Sequence, residues 1–355
     1  MRIFMNFIKL AFQLARKADP FPNPRVGAVL VIDGKIIGKG YHKKAGMNHA
    51  EIEAILDAKK HGYRVKGATL YVALEPCSHT NKRTLPCTLA IIANRIKRVY
   101  FAMTDPNPGV NGAEVLRKAG IKVIGPVSQQ EGMKLNRAYV KNLKVKPLVA
   151  MKMAISADGK TATKKGDSKW ITGEKARKYV HRLRSIFDAV VVGAGTVVKD
   201  NPRLTSRIKG GRNPYRVIVD GRLRIPLNSK VLKLDGRAII ATTASAPKAK
   251  VARFRRMGVM VFICGKKEVN IEVLIKDLSA MGIKKILIEG GSELNAKALK
   301  FVDKFYFFIA PKIIGGREAK AVIGGEGIEK MNQAVKLKKM KAKKLGDDIL
   351  LEFNR

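Results

Sequence analysis

Acidic residues are scarce in this chain. Of 355 residues, 28 are Asp or Glu against 71 Lys or Arg, a formal net charge of +43. Such a field attracts polyanions and phosphorylated metabolites alike, and it equally describes a lysine-coated surface. Aromatics are also few, 6% of the chain with one Trp. Proteins that grip single-stranded nucleic acid interleave stacking aromatics with their cations, so a polynucleotide ligand is disfavoured. The basic residues are spread along the chain, with one dense cluster over 336–344 that reads as an exposed face or edge. Long apolar runs are missing, and none approaches the roughly 20 residues of a membrane span. The apolar, basic stretch 1–17 is interrupted by Asn6, Lys9 and Gln13, and no small-residue cleavage site follows it. Ile8, Phe12 and Ala15 recur there at helical spacing, which predicts a packed amphipathic helix. Three cysteines cannot make a paired disulfide framework. Cys264 ends a short apolar run and is expected as a buried strand thiol. Free thiols favour a reducing compartment, so a cytoplasmic location is expected.

What is present is enough for two cores, at 46% hydrophobic residues. The first half alternates a helix over 4–17, strands over 26–32 and 35–41, a helix from His49 to before Gly62, and a buried strand over 68–74. A helix over 86–94, a strand over 98–103, a helix over 112–119 and a strand over 121–124 follow. Ser128 opens a last helix, with Glu131 completing a capping box. This alternation argues an α/β layer sandwich. Val145-Lys146-Pro147 reads as a joint, dividing the chain into 1–146 and 147–355. The second series has strands over 148–154, 188–193, 216–220, 238–241, 259–264 and 285–289. Its helices are predicted over 173–184, capped by Thr172, and over 271–281 and 292–299, with closing strands over 305–310 and 349–353.

Chemistry concentrates in His49-Ala50-Glu51, Pro76-Cys77 and Pro86-Cys87. One imidazole and two thiolates bind zinc and leave a fourth position for water, whose pKa the metal lowers. Glu51, two residues from His49, can carry the proton between water and a leaving amine. This set of parts is that of the zinc nucleobase deaminases. Pro86 suits a first helical position, which would put Cys87 in a first turn that stabilises a thiolate. Cys77 falls in the loop at the carboxyl end of a strand, where active sites of α/β sheets gather. Two rivals remain at this point. A deaminase of RNA or DNA bases has the charge in its favour and the aromatic content against it. A non-catalytic, zinc-stabilised binding protein would need four protein ligands and no acid/base. In the second half, a strand running into Gly290-Gly291-Ser292, and Gly193-Ala194-Gly195-Thr196 after another, allow close approach of backbone N–H groups to a phosphate-bearing cofactor. Either could also be a tight turn.

The stretch Pro76-Cys77-Ser78-His79-Thr80-Asn81-Lys82-Arg83-Thr84-Leu85-Pro86-Cys87, with Asn23-Pro24-Arg25-Val26-Gly27, His42 and His49-Ala50-Glu51, resembles the bifunctional riboflavin-biosynthesis deaminase–reductases. The likeness continues through 151–160, Ser168-Lys169-Trp170-Ile171-Thr172, 195–205, Ile288-Glu289-Gly290-Gly291 and Ala310-Pro311-Lys312. It implies a cytidine-deaminase-like three-layer α/β/α domain followed by a dihydrofolate-reductase-like α/β domain. The implied reactions are zinc-dependent deamination of 2,5-diamino-6-ribosylamino-4(3H)-pyrimidinone 5′-phosphate, then NADPH-dependent reduction of its ribosyl group to ribityl. By the same likeness His49, Cys77 and Cys87 bind zinc, Glu51 transfers protons, and Asn23, His42, His79 and Lys82 face the substrate; the charge of Lys82 suits it, independently of the likeness, to anchor a phosphate. Ala154, Trp170, Thr196, Asp200 and the turn Gly291, Ser292, Glu293, Leu294, Asn295, Ala296 and Lys297 would contact NADPH. Ser168, Arg184, Leu204, Arg207 and Glu289 would contact the sugar phosphate, the two arginines as phosphate forks. The loop between the cysteines departs from the family pattern: it is one residue longer, with Asn81 where glycine is usual and Leu85 where proline is. A homo-oligomer is expected. His61 and His181 have no supporting constellation.

Overall fold

The structure is a computed structural model and describes residues 2–21, 23–44, 47–78, 86–107, 109–233 and 237–355, with the side chains of residues 2 and 3 excepted. It comprises two compact units, residues 1–146 with 279–282, and residues 147–278 with 283–355.

The first unit is built from α1 (Arg2–Ala15), β1 (Gly27–Ile32), β2 (Lys35–Tyr41), α2 (Ala50–Lys60), β3 (Thr69–Val72), α3 (Cys87–Ala93), β4 (Arg98–Phe101), α4 (Gly112–Lys118), β5 (Lys122–Ile124), α5 (Gln129–Leu135) and α6 (Arg137–Lys144). Its sheet has the order β2-β1-β3-β4-β5, antiparallel across β2, β1 and β3 and parallel from β3 to β5. The apolar stripe of α1 is the predicted one: Ile8, Phe12 and Ala15 are buried, while Phe4 and Phe7 lie against Tyr100 and Tyr71 of the sheet. A Cβ on Gly27 of β1 would meet the backbone of α1, and one on Gly40 of β2 would lie 2.3 Å from the Ala50 carbonyl oxygen of α2. Gly40 pairs with Ala28, the neighbour of Gly27. Successive strand residues face opposite ways, so α1 and α2 cover opposite faces of the sheet. The bare backbone at Gly40 is what lets the start of α2 press against β2.

Local capping differs from expectation. Pro86 is the residue before α3, with an extended ψ of 139°, so Cys87 itself opens the helix. Ser128 precedes α5 without a side-chain cap, and Glu131 pairs instead with Arg16 at 3.2 Å. The single last helix is two, α5 and α6, meeting at Asn136.

The second unit comprises β6 (Leu148–Ser156), β7 (Lys160–Ala162), α7 (Glu174–Ile186), β8 (Ala189–Gly193), α8 (Ala194–Asp200), β9 (Tyr215–Val219), β10 (Ala238–Thr242), α9 (Lys248–Arg256), β11 (Met260–Ile263), α10 (Ile271–Ala280), β12 (Lys285–Ile288), α11 (Ser292–Ala298), β13 (Lys304–Ala310), β14 (Lys320–Ala321), β15 (Lys338–Leu345) and β16 (Asp348–Asn354). Nine strands run β11-β10-β9-β8-β12-β6-β13-β16-β15, and β7 pairs with β14 apart from them. Pairing is parallel from β11 to β13 and antiparallel through β16 and β15. The cluster over 336–344 falls largely on β15, an edge strand whose residues are exposed apart from Leu345. Lysines on an edge discourage pairing with another chain. The strand had no apolar alternation to announce it, and α8 and α9 were likewise not foreseen.

Thr172 does not cap α7. Gly173 occupies that position without a side-chain cap, its N–H donating to Asp348 Oδ2 at 2.7 Å. Cys264 is fully buried one residue past β11 rather than within it. Burial, reinforced by Asp277, pushes its thiol up to about 12. Among the described residues no helix is long and apolar enough to cross a membrane.

Candidate active site

His49 is the residue before α2, in extended conformation. The helix then turns Glu51 inward, 3% exposed. Cys77 lies in the loop after β3, and Cys87 opens α3. Their segments are tied together: the Cys87 N–H points at Cys77 Sγ over 3.4 Å and the Thr88 N–H donates to the Cys77 carbonyl. His49 Nδ1 sits 3.2 Å from Cys87 Sγ and 3.4 Å from Cys77 Sγ. One donor atom from each of the three lies within 4.8 Å of the others, a spacing and donor set that suit a tetrahedral zinc with one position left over. The start of α4 holds the Cys77 loop from outside. A Cβ on Gly112 would stand 1.7 Å from the Pro76 carbonyl oxygen. Gly112→Ala is therefore expected to destabilise the fold by roughly 1–3 kcal/mol and to weaken zinc retention, read as a lowered Tm and a lowered metal content. Unchanged values for both would refute the close approach.

A small cavity, partly open to solvent, is lined by His49, Glu51 and Cys77 together with Asn23, His42, Glu75, Asp105 and Tyr139. Two of the predicted substrate residues meet here. His42 Nδ1 lies 2.9 Å from the Asn48 carbonyl and must donate to it. In the neutral ring Nε2 then accepts from Asn23 Nδ2 at 3.0 Å. The other two, His79 and Lys82, lie outside the described residues. Glu75, Asp105 and Tyr139 were not anticipated. Glu75 accepts from the Ala113 and Asp105 N–H groups, and the Tyr139 hydroxyl donates to Asp105 Oδ1 at 2.9 Å. The sequence carried one usable sign of Asp105, a polar Asp-Pro-Asn turn after a buried strand. Tyr139 had none, because it arrives from α6.

The electrostatics of this cavity oppose those of the chain. Its described walls carry the carboxyls of Glu51, Glu75 and Asp105 and the Cys77 thiol, with no Lys or Arg, in a protein of net charge +43. Burial first, then Cys77, pushes the Glu51 carboxyl up to about 7, with His49 acting the other way. Burial chiefly, with Cys77 and Glu51 adding to it, raises the Cys87 thiol well above the usual range. Burial and mutual repulsion thus disfavour the charged forms of these groups while the site is without a cation, and one imidazole and two sulfurs within 4.8 Å of one another are a donor set that fits a divalent metal.

In the second unit the Arg184 fork is closed on Glu289, Nε to Oε1 at 2.7 Å and Nη2 to Oε2 at 2.8 Å, with side chains 13% and 8% exposed. Glu289 follows β12 and Arg184 comes from α7. Lys152 of β6 belongs to the same cluster and was not anticipated. Burial lowers its amine, Glu289 opposes that and Arg184 adds to it. Ala154, two residues on, shares its face of the strand. Thr196 lies in the first turn of α8 and Gly291 immediately precedes α11, and neither helix start is capped by a side chain. These starts follow β8 and β12, neighbours in the sheet. Asn295 is 1% exposed; its Nδ2 donates to the Val322 carbonyl, while its buried Oδ1 has no partner. Two helix starts without side-chain caps at adjacent turns and an orphaned buried acceptor fit a phosphate-bearing nucleotide with donor groups of its own. Trp170 is 64% exposed, beneath the Arg177 guanidinium, and its carbonyl accepts from Lys312 Nζ. Asp200 pairs with Lys169 at 3.3 Å. Ser168 is half-buried, Leu204 buried and Arg207 exposed; the last two hold positive φ.

Residues 147–351 match the RibD C-terminal domain, and residues 1–103 match the cytidine and deoxycytidylate deaminase zinc-binding region. The chain is 42% identical to the riboflavin biosynthesis protein RibD of Actinobacillus pleuropneumoniae, covering 98% of this chain and 94% of that one. It is also 42% identical to RibD of Aquifex aeolicus, covering 99% and 98%. Among solved structures it resembles the diaminohydroxyphosphoribosylaminopyrimidine deaminase/5-amino-6-(5-phosphoribosylamino)uracil reductase of Thermotoga maritima, at 38% identity, 99% coverage of both chains and a TM-score of 0.52. Acinetobacter baumannii RibD is similar at 32% identity, 99% coverage of both and a TM-score of 0.54.

Proposed function

The chain belongs to the RibD family of riboflavin-biosynthesis proteins, and from that premise we propose how its residues divide two reactions. It is a bifunctional enzyme, a zinc-binding deaminase and an NADPH-dependent reductase. Residues 1–146 carry the deaminase and residues 147–355 the reductase. The deaminase substrate is 2,5-diamino-6-ribosylamino-4(3H)-pyrimidinone 5′-phosphate, and the reductase takes its deaminated product to 5-amino-6-(5-phospho-D-ribitylamino)uracil. The observation that carries the reading is the acidic cavity lined by His49, Cys77 and Glu51, with Cys87 beside the first two, in an otherwise strongly basic chain.

His49, Cys77 and Cys87 would hold the zinc, which would supply Lewis acidity and acidify a water. Glu51 takes the proton of the attacking water, passes it to the ring nitrogen and then assists loss of ammonia. Asn23 and His42, locked to each other, orient the pyrimidine ring, with His79 and Lys82 completing the contacts. In the reductase, bound NADPH would supply the hydride for reduction at C1′ of the ribosylamino group. Ala154, Trp170, Thr196, Asp200 and the turn from Gly291 to Lys297 hold the nucleotide. Ser168, Arg184, Leu204, Arg207 and Glu289 face the sugar phosphate. Lys152, half-buried beside Glu289, is the proton donor we assign to the opened ring. Free metal-ligating thiols support a cytoplasmic location, and we assign a homo-oligomer, to be read as solution mass by light scattering.

The purified protein is expected to hold one zinc per chain. Chelation should abolish ammonia release from the ribotide while NADPH oxidation by the deaminated intermediate continues. Full ammonia release by metal-free protein would end the zinc reading. Ammonia from oligonucleotides and none from the ribotide would favour a base deaminase instead.

A further inference from the structure

Residues 201–207, between α8 and β9, form neither helix nor strand. Three non-glycine residues in this segment hold positive φ, Asn201 at 41°, Leu204 at 55° and Arg207 at 52°. L side chains rarely adopt that conformation, and it persists where the surroundings over-determine the backbone. Asn201 Oδ1 accepts from the Lys230 N–H at 2.8 Å, Leu204 is buried, and Asn213 Oδ1 accepts from the Ser206 N–H at 3.1 Å. A further tie comes from α7, where His181 Nδ1 lies 3.2 Å from the Thr205 carbonyl oxygen. A carbonyl only accepts, so Nδ1 carries the proton.

His181 is half-buried and stands one turn before Arg184 on the same face of α7. The charged groups around its ring are Arg184, Arg207 and Glu289. Burial first, then Arg184, lowers the pKa of the imidazole; the Thr205 carbonyl and Glu289 act the other way, and Arg207 adds to the lowering. A neutral donor thus stands between two guanidiniums without adding a third positive charge. Arg184 is fixed by its fork on Glu289. Arg207 is exposed, and its place depends on the backbone that carries it. Sequence gave His181 no companions; the fold supplies them.

We propose that His181 is a positioning residue of the reductase: its Nδ1–H pins the Thr205 carbonyl and thereby sets where Arg207, two residues on, stands relative to Arg184. The proposal rests on the assignment of these two arginines to the sugar phosphate. Ser206, between Thr205 and Arg207, is 2% exposed and tied to Asn213, so a shift of the Thr205 carbonyl is passed along a short, constrained backbone. Two guanidiniums grip one phosphate only at a fixed separation, and α7 sets that separation by carrying Arg184 and the tie to the Arg207 segment on one face.

The test uses the full-length chain and follows NADPH oxidation with the deaminated ribotide. In His181→Ala the ribotide KM should rise about 2- to 10-fold, the worth of one neutral hydrogen bond. The NADPH KM and kcat should hold, as for lost uniform binding of one substrate. His181→Asn, whose amide N–H can stand where Nδ1–H stands, should recover most of the loss. His181→Leu, which fills the space without a donor, should not. Arg207→Ala should itself raise the ribotide KM, and adding His181→Ala to it should raise it no further, because the histidine acts through the arginine. A wild-type ribotide KM in His181→Ala, full additivity with Arg207→Ala, or equal recovery by Leu and Asn would overturn the proposal and leave the arginine assignment standing. So would an NADPH KM that rises as much as the ribotide KM, the mark of a general structural role. A wild-type ribotide KM in Arg207→Ala would instead overturn the sugar-phosphate assignment, and the proposal with it.

Discussion

Glu51→Gln should lower ammonia release from the ribotide by about 10²–10⁴-fold, the range that positioned acid/base groups contribute, without loss of zinc. The residue is buried in the first turn of α2, two positions from His49, and lines the same cavity as the metal-ligand group. Glutamine keeps the size and the hydrogen-bonding ends of the side chain but cannot take up a proton. The three donors His49, Cys77 and Cys87 do not include it, so metal content should stay at the wild-type value. Reduction of the deaminated intermediate, assigned to residues 147–355, should also continue, and it provides an internal control for folding of the same chain. Deamination at the wild-type rate would remove Glu51 from its assigned role. Loss of zinc along with activity would make it a structural residue.

Arg184→Ala should destabilise the second unit by about 3–5 kcal/mol, because removing one partner of a buried pair leaves the other charge uncompensated. Burial works to raise the Glu289 carboxyl, but Arg184 and then Lys152 overcome it and hold the carboxyl low. A carboxylate with a depressed folded pKa contributes stability that is full above its unfolded pKa and is lost as pH falls through the folded one. In the variant the main depressing partner is gone and burial dominates. The deficit against wild type should therefore be largest near neutral pH and shrink as pH falls through the usual carboxylate range, where Glu289 can protonate. Thermal unfolding at several pH values, followed by loss of reductase activity in wild type and by circular dichroism in both, reads this. The double variant Arg184→Met with Glu289→Leu should regain most of the stability and none of the reduction. A double variant as unstable as the single one would show that the pair is not what holds this region.

The candidate zinc ligands, which the fold brings together, were legible before any coordinates because metal chemistry admits few side chains, and each stands beside a local marker: a helix start for His49, a strand end for Cys77, a proline before each cysteine. Helices and strands with apolar periodicity, such as α1 and β1, were legible for the same local reason. Where the signal depended on a remote partner it failed. Ser128 and Glu131 had the spelling of a capping box, but Arg16, 115 residues away, takes the glutamate. Thr172 was displaced as a cap by Gly173, held by Asp348 from 175 residues on. The lysines of β15 form a strand only because β16 offers a free edge.

By itself, then, the order of residues pointed to the chemistry: which side chains are the candidate metal ligands, which carboxyl is the candidate proton carrier, and that two α/β units follow one another. Tertiary structure alone decided the surroundings of that chemistry. It walled the cavity with Glu75, Asp105 and Tyr139, joined Arg184 to Glu289 across 105 residues, and clamped Arg25 to α6 through Asn136 across 111. The reason is physical. Ligand type, capping and periodicity are written within a few residues, whereas charge pairing, enclosure and burial are properties of neighbours that only the folded chain brings together.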